Sequence, residues 1–389
     1  MERLYEEFNI LIKKVPMDFI RYKYNEIEWD GKMFGIVGPR GVGKTTMLLQ
    51  YIKKNLPLNE SLYIAIDSIY FAKHSLSETV DQFVKNGGKY LFVDEIHKYD
   101  NWSQELKHIY DLYDNLKVVF SGSSILDIYK GSADLSRRAP IYEMQGLSFR
   151  EYLKLFHNYN INRYSLDEIL EHKTVLDEIE HPLPLFEDYL HRGYYPFGRN
   201  KDFNAQLEQV IIQTMEWDIP KYAGLNISVG RKLTQLLLII SKSAPFKPSY
   251  QQLAEMLGSS RNYISDYMLY MERAGMLSQL RNNTGGVRGL GKVEKVFLDN
   301  TNLMYNLSSL DANIGNIRET FFYNQMRVNH TVTASTVADF NIDNITFEVG
   351  GAKKSKRQIE GIENGFIVRD NIESGYQNFI PLWAFGLNY

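Results

Sequence analysis

The 389-residue sequence contains no cysteine. Disulfide bonds, thiolate zinc sites and cysteine nucleophiles are therefore excluded, and the composition fits a reducing compartment. No run of 18 apolar residues occurs, and the first residues, Met1 to Glu7, are acidic and lack the apolar core of a secretory signal. These absences predict a cytoplasmic protein with no membrane partner.

The sequence also has little net charge, a formal -3 at pH 7. Any attraction to nucleic acid must then come from a local basic patch and not from the field of the whole molecule. Hydrophobic residues make up 44% and charged residues 23%, which is typical of soluble globular proteins. Because one hydrophobic core seldom serves a chain of this length, two or three domains are expected.

Short apolar segments alternate with helical stretches from Lys32 to about Tyr152. This alternation is typical of a parallel sheet covered by helices, an α/β fold. The predicted strands are Met33 to Val37, Leu62 to Asp67, Tyr90 to Asp94 and Val118 to Ser121. From Ser148 to about Ile240 the periodicity becomes helical, and a helical lid or linker region is expected there.

A glycine-rich segment follows the first predicted strand and satisfies the pattern of a phosphate-binding P-loop. Its glycines let successive backbone N–H groups and the start of the next helix face phosphate oxygens. Lys44 adds a full positive charge, and the hydroxyl of Thr45 is a ligand for Mg²⁺. The predicted ATP-binding residues are Gly38, Pro39, Arg40, Gly41, Val42, Gly43, Lys44, Thr45 and Thr46.

Two acidic residues, Asp94 and Glu95, end the third predicted strand about 50 residues after the P-loop. Asp94 is predicted to hold the Mg²⁺ shell. Glu95 is predicted to orient and polarise an attacking water, which distinguishes an ATP hydrolase from a nucleotide binder. Solvated acids also follow many strands, but their position after a P-loop favours the catalytic interpretation.

Hydroxyl groups follow the next strand, where Ser121 or Ser123 would contact the γ-phosphate or the water. A helix N-cap is the rival role for Ser123 and Ser124. Arg137 and Arg138 come later, and an arginine there would stabilise γ-phosphate charge in its own chain or in a neighbour. The alternative is a solvated surface pair.

Several segments together resemble a prokaryotic AAA-superfamily ATPase. They are Gly38 to Thr45, Phe92 to Lys98, Ser121 to Ser124, Leu135 to Arg138 and Gly146 to Leu153. The resemblance is to a group that combines a P-loop ATPase domain, a winged helix and a C-terminal domain similar to PD-(D/E)XK nucleases. It implies catalytic roles for Lys44 and Glu95, Ser123 as a sensor, Arg138 as an arginine finger, and assembly into a homo-oligomer.

The resulting fold prediction is an α/β P-loop NTPase sheet with a helical lid, a winged helix-turn-helix and a small nuclease-like α/β domain. The predicted limits are 1–155 for the ATPase core, 156–228 for the helical lid or linker region, 229–305 for the winged helix-turn-helix, and 306–389 for the restriction-endonuclease-like domain.

Residues 230–300 contain ten Lys and Arg against five Asp and Glu. This local excess favours a nucleic-acid surface. Its predicted DNA contacts are Arg261 at the start of the second helix and Arg281, Arg288 and Lys292 around the wing. Winged helices also serve as protein contacts, and Asp266 and Glu272 would repel phosphate, so DNA and protein both stay open as partners.

Three carboxylates in the last region, Glu319, Asp339 and Glu348, follow the order found in the nuclease fold. Such groups would bind Mg²⁺ and activate water. The lysine expected two residues after the glutamate is absent, because Gly350 stands there and Lys353 and Lys354 are the nearest candidates. The simpler interpretation is a degenerate domain that binds or scaffolds.

The leading functional hypothesis is ATP hydrolysis, with ATP and Mg²⁺ bound, coupled to a DNA- or protein-binding C-terminal half. One alternative is a binding switch that holds ATP and rarely hydrolyses it. Another is a metal-dependent DNA nuclease regulated by ATP.

Overall fold

The computed structural model describes residues 1–122, 135, 137–283, 291–308 and 313–389. These residues fall into two units, Met1–Gln145 and Gly146–Tyr389. None of the helices in these ranges is long and apolar enough to cross a membrane.

Five parallel strands form the sheet of the first unit. They are β1 (Met33–Val37), β2 (Ser61–Ala65), β3 (Tyr90–Asp94), β4 (Lys117–Gly122) and β5 (Ile141–Glu143). Their order in the sheet is β2-β3-β4-β1-β5. The first four strands are almost wholly buried, which is why they are near-continuous apolar runs in the sequence. The predicted α/β class is confirmed.

Four helices of the first unit pack around this sheet and contribute to its apolar core. They are α1 (Glu2–Lys14), α2 (Lys44–Asn55), α3 (Leu76–Lys85) and α4 (Trp102–Leu112). A capping box of Ser75 and Glu78 satisfies the first N–H groups of α3 and fixes where it begins. In α4, Trp102, Leu106 and Ile109 are buried on one face of the helix.

The strand order determines which side chains meet at one edge of the sheet. All five strands are parallel, so their carboxyl ends lie at the same edge. Strand β4 lies between β1 and β3. Its residue Ser121 is level with Ile36 of β1 and therefore lies between the end of β1 and Asp94 at the end of β3.

Helices dominate the first part of the second unit. They are α5 (Phe149–His157), α6 (Leu166–Leu170), α7 (Leu183–Arg192), α8 (Phe203–Ile212), α9 (Ile219–Ala223) and α10 (Ile227–Ser241). A π-helical turn, Gln213–Asp218, joins α8 to α9. The predicted change from strands to helices after Ser148 is confirmed.

Two further helices, α11 (Tyr250–Leu257) and α12 (Arg261–Arg273), are joined at Gly258, whose φ of +60° suits glycine. They precede an antiparallel pair of strands, β6 (Leu277–Arg281) and β7 (Val293–Leu298). These helices and strands occur where the sequence predicted a winged helix-turn-helix. The assignment to that class of module stays a prediction.

The last part of the described chain contains two α-helices and a second five-stranded sheet. The helices are α13 (Thr301–Leu307) and α14 (Ile314–Met326), and the strands are β8 (Val332–Ala334), β9 (Phe340–Ile342), β10 (Ile345–Gly350), β11 (Gly365–Arg369) and β12 (Phe379–Pro381). The order is β12-β11-β10-β9-β8, with β10, β11 and β12 parallel and the β8–β9 and β9–β10 pairs antiparallel.

The first unit ends at Gln145, ten residues before the predicted limit at 155. The physical reason lies in helix α5, whose cap residue Ser148 and whose Arg150 both donate hydrogen bonds to the carbonyl of Tyr389, at 2.7 and 2.9 Å. These contacts place α5 in the second unit. The predicted domain boundaries after residues 155, 228 and 305 stay predictions.

Candidate nucleotide site

The loop between β1 and α2 has the geometry of an anion-binding loop. Gly41 and Gly43 have φ values of +84° and +96°, which side-chain-bearing residues rarely adopt. Val42 between them is fully buried and anchors the loop. Gly43, the residue that precedes α2, has no side chain that could cap the first N–H groups of this helix, and such groups bind anions.

Lys44 is buried at the centre of the loop, with 5% of its surface exposed. Its Nζ donates hydrogen bonds to the carbonyls of Gly38 and Pro39, both at 2.8 Å. Burial lowers the pKa of Lys44 to about 8, and the charges of Glu95 and Asp94 oppose this effect. Because burial disfavours the charged ammonium, a phosphate beside it would stabilise it strongly.

Asp94 is buried and accepts four hydrogen bonds. Thr45 of the P-loop and Tyr63 of β2 donate to Oδ2, the latter at 2.7 Å. Ser121 of β4 and the backbone N–H of Glu95, at 3.0 Å, donate to Oδ1. The structure therefore joins the two predicted Mg²⁺ residues, Thr45 and Asp94, across the edge of the sheet.

Glu95 lies directly after β3 with a φ of 56°, a left-handed conformation that is uncommon outside glycine. Its Oε2 lies 3.2 Å from Nζ of Lys98, and 19% of its side chain is exposed. Its charge is the largest carboxylate influence on Lys44. The predicted general base is thus partly solvent-accessible, and its charge acts on the P-loop lysine.

The structure does not bring all predicted residues to this edge. Ser123 lies outside the described residues. Arg138 forms a bidentate ion pair with Asp111 of α4, in which Nε and Nη2 donate to the two carboxylate oxygens at 3.0 and 3.2 Å. Within the described ranges, the side chain of Arg138 contacts Asp111 and Tyr110 of α4. Its predicted role as an arginine finger stays a prediction.

Two residues that contact the site were missed from the sequence. One is Tyr63, which lies in a strand where tyrosine is an ordinary residue and gives no signal. The other is Arg21, 4% exposed, which donates hydrogen bonds to the carbonyl of Val42 and, at 2.8 Å, to that of Gln145. It lies 17 residues before the P-loop, outside any recognisable pattern. Arg21 adds a buried positive charge beside the loop.

Gly38 is required by close packing and not by an unusual φ. A Cβ at this position would lie 2.1 Å from the carbonyl oxygen of Met144, a backbone atom that cannot rotate away. We expect Gly38→Ala to destabilise the first unit by about 3 kcal/mol and to abolish ATP binding, because the loop must shift. Thermal unfolding and ATP titration measure both effects.

The matched control is Gly31→Ala, where the added Cβ would have its nearest neighbour at an ordinary 3.5 Å. Equal stability and equal ATP affinity in the two variants would contradict the packing requirement at Gly38.

One family model matches the first part of the chain. Residues 30–153 match a family model described as an AAA domain. This match agrees with the P-loop geometry, and both support nucleotide binding by this region. Residues 183–314 match a family described only as a domain of unknown function. No curated protein matches the sequence.

Solved structures similar to the chain come from several organisms. The Walker-type ATPase PABY2304 of Pyrococcus abyssi is 13% identical over 77% of this chain and 99% of its own, with a TM-score of 0.47. PCH-2 of C. elegans is 14% identical over 68% and 66%, with a TM-score of 0.27. The S. cerevisiae Hsp104–ADP complex is 16% identical over 69% and 40%, with a TM-score of 0.28. The match to the AAA family model, and not these weak structural similarities, supports nucleotide binding by residues 30–153.

Outside the AAA domain, the three predicted carboxylates Glu319, Asp339 and Glu348 lie close together, each held by a lysine or a backbone group. Lys295 of β7 lies 2.8 Å from Glu319 and 3.1 Å from Asp339. Asp339 also accepts the N–H of Val349, at 3.0 Å. Burial and the charge of Asp339 raise the pKa of Glu319.

Glu348 is paired with Lys354, the displaced lysine considered from the sequence. Burial raises the pKa of Glu348, which opposes its ionisation. Among the described residues, no group of three His, Cys, Asp or Glu side chains is arranged to hold a metal ion. The lysines hold carboxylate oxygens that a divalent cation would need, so these residues do not fit a Mg²⁺ site.

Lys295 therefore has a structural role that can be tested. Replacing it by Met would leave Glu319 and Asp339 close together without their cation. We expect Lys295→Met to lower the free energy of unfolding by about 2 kcal/mol, less than for a fully buried pair because 32% of the lysine side chain is exposed. Urea denaturation measures the change. The control is Lys292→Met, where 72% of the side chain is exposed, and equal stability of the two variants would contradict this role.

The predicted DNA contacts of residues 230–300 are only partly available. Arg261 is exposed at the first turn of α12, and the side chain of Lys292 is 72% exposed. Arg281, in contrast, forms a bidentate ion pair with Glu272, in which Nη1 and Nη2 donate to the two carboxylate oxygens at 2.9 and 2.8 Å. Arg288 lies outside the described residues. This ion pair offsets the charge of Arg281, and its contact with DNA stays a prediction.

Proposed function

We propose that the chain binds ATP with Mg²⁺ at the AAA domain and hydrolyses it. The observation that carries the proposal is the hydrogen bond from Thr45 of the P-loop to Asp94 at the end of β3. It joins the loop that would bind phosphate to the carboxylate that would hold the metal shell. Glu95, the next residue, supplies a base beside them.

Each residue would act through a distinct interaction. The N–H groups of the P-loop and the ammonium of Lys44 would bind the phosphate oxygens. Thr45, whose hydroxyl proton points to Asp94, keeps its oxygen lone pairs for the metal. Mg²⁺, when bound, bridges the phosphates and offsets developing charge. Glu95 would accept a proton from the attacking water and orient it.

Two further roles are proposed for flanking residues. Ser121 donates to Asp94 and would hold that carboxylate while the γ-phosphate is transferred. Arg138, which pairs with Asp111 in this chain, is a candidate for contacting ATP bound to a neighbouring copy in a homo-oligomer. Sedimentation of the protein with and without ATP tests that assembly.

We further propose that hydrolysis is coupled to a macromolecular partner bound by α11 and α12. The exposed side chains of α12 include Arg261, Asn262, Tyr263 and Arg273, which suits phosphate and base contacts. Met256 and Leu269, 66% and 37% exposed, suit a protein surface instead. Duplex DNA is the partner to test first, because Arg261 is at the helix N-terminus.

A binding switch with little turnover is the second candidate, and it is favoured by the ion pair of Glu95 with Lys98, which restrains the proposed base. The third, a metal-dependent nuclease, has no support from the carboxylates around Lys295, which do not fit a metal.

The deciding experiment is release of phosphate from ATP with and without Mg²⁺ and duplex DNA, repeated between about 50 and 200 mM salt. Mg²⁺-dependent release above that of Glu95→Gln supports the ATPase, and equal release in the two proteins supports the switch. Stimulation by DNA that weakens as salt rises supports a DNA partner. A lack of stimulation at every salt concentration would instead direct the search to proteins.

A further inference from the structure

The hydroxyl of Tyr63 makes a contact with the proposed metal site that no motif includes. Tyr63 lies in the middle of β2, is 4% exposed, and donates a hydrogen bond of 2.7 Å to Oδ2 of Asp94. An ionised carboxylate only accepts hydrogen bonds, so the tyrosine hydroxyl is the donor in this contact.

The strand register explains how a mid-strand tyrosine comes to contact a residue at the end of the neighbouring strand. Ala65 of β2 is level with Asp94 of β3, and Tyr63 precedes Ala65 by two residues. Side chains two residues apart point to the same face of a strand, so Tyr63 and Asp94 share a face. The long tyrosine side chain spans the remaining distance along that face.

The two oxygens of Asp94 are held from opposite sides. Strand β3 lies between β2 and β4. Tyr63 from β2 binds Oδ2, and Ser121 from β4 binds Oδ1. A carboxylate fixed at both oxygens by rigid strands cannot rotate about its terminal bond. Without Tyr63, Oδ2 would keep only the hydroxyl of Thr45, which is itself a proposed metal ligand.

We propose that Tyr63 is a positioning residue that fixes the orientation of Asp94 toward the hydration shell of nucleotide-bound Mg²⁺. The inference rests on the proposed function, because it concerns the same metal. Tyr63 touches neither substrate nor metal in this scheme. It acts through Asp94, because its hydrogen bond fixes the carboxylate before the metal binds. The carboxylate then loses less rotational freedom when Mg²⁺ binds.

The test is Tyr63→Phe, which removes the hydroxyl and keeps the ring. Binding of a non-hydrolysable ATP analogue is measured in EDTA and over a Mg²⁺ titration. We expect the affinity for the analogue in EDTA to stay within about twofold of wild type. The Mg²⁺ concentration that gives half of the maximal enhancement of analogue binding should rise about tenfold, because one hydrogen bond to a charged group contributes a free energy of about this size. The Mg²⁺ requirement of phosphate release should shift in parallel.

The matched control is Tyr142→Phe, which removes a tyrosine hydroxyl from edge strand β5, where it accepts the N–H of Glu28. An equal Mg²⁺ requirement in the two variants would overturn the role of Tyr63. An equal loss of affinity in EDTA and in Mg²⁺ would also overturn it, because it would indicate general damage to the fold. If Mg²⁺ did not enhance binding to wild type, the proposed function would fail first, and the role of Tyr63 with it.

Discussion

Glu95→Gln is expected to lower ATP turnover by about 100- to 1000-fold while ATP still binds. Glutamine has nearly the shape of glutamate but cannot accept a proton from water. The charge of Glu95 favours the ammonium form of Lys44, and a phosphate bound beside Lys44 would favour the same form. Loss of the Glu95 charge should therefore change the affinity for ATP only modestly. Single-turnover phosphate release measures the chemical step, and equilibrium titration measures binding.

The control for Glu95 is Glu60→Gln, at the amino end of β2 and therefore at the opposite edge of the sheet. Glu60 pairs with Lys89 at 2.9 Å and contacts none of the site residues described above. Turnover should stay near wild type, since an exposed pair of this kind contributes little to stability. If Glu95→Gln hydrolysed ATP as fast as Glu60→Gln, the assignment of Glu95 as the base would be wrong.

The second large effect is expected on binding, from Lys44→Ala. This change removes the buried ammonium and should weaken ATP affinity by about 100-fold or more, since charge-assisted contacts to phosphate are among the strongest hydrogen bonds. The loop carbonyls of Gly38 and Pro39 would also lose their donor. Calorimetric titration with ATP, with thermal unfolding as a check on folding, gives the result.

Lys54→Ala is the matched control for Lys44, because it removes a lysine from the exposed last turn of the same helix. Its affinity for ATP should equal that of wild type. ATP binding by Lys44→Ala at wild-type strength would rule out the P-loop as the phosphate site, whatever the turnover.

Much of the nucleotide site could be predicted because its determinants are local. The P-loop is one continuous segment, and Asp94 and Glu95 are adjacent at the end of an apolar strand. Strands β1 and β3 were predicted with their observed limits, since a buried parallel strand leaves a clear apolar run. The contact of Thr45 with Asp94 then follows from parallel strands that end at one edge.

The remaining contacts join residues that are far apart in the sequence. No local sequence pattern predicts that such residues meet in the folded protein. Tyr63 is 31 residues from Asp94, and Arg21 is 21 from Val42. The count of basic residues between 230 and 300 also overstated the free positive charge. Arg281 pairs with Glu272, and Lys295 pairs with carboxylates beyond the counted region. Charge patterns report what a segment contains but not which charges neutralise each other on folding.

The buried guanidinium of Arg21 has a consequence for dissecting this protein into fragments. The AAA match begins at residue 30, yet Arg21 holds the P-loop carbonyl of Val42 from outside that range. Gln50 of α2 likewise donates to the carbonyls of Pro16 and Phe19, at 2.8 and 2.7 Å. A fragment trimmed to residues 30–153 would lose these supports and the apolar face of α1. Expression of the nucleotide-binding part alone therefore needs the first 29 residues as much as the motif that identifies it.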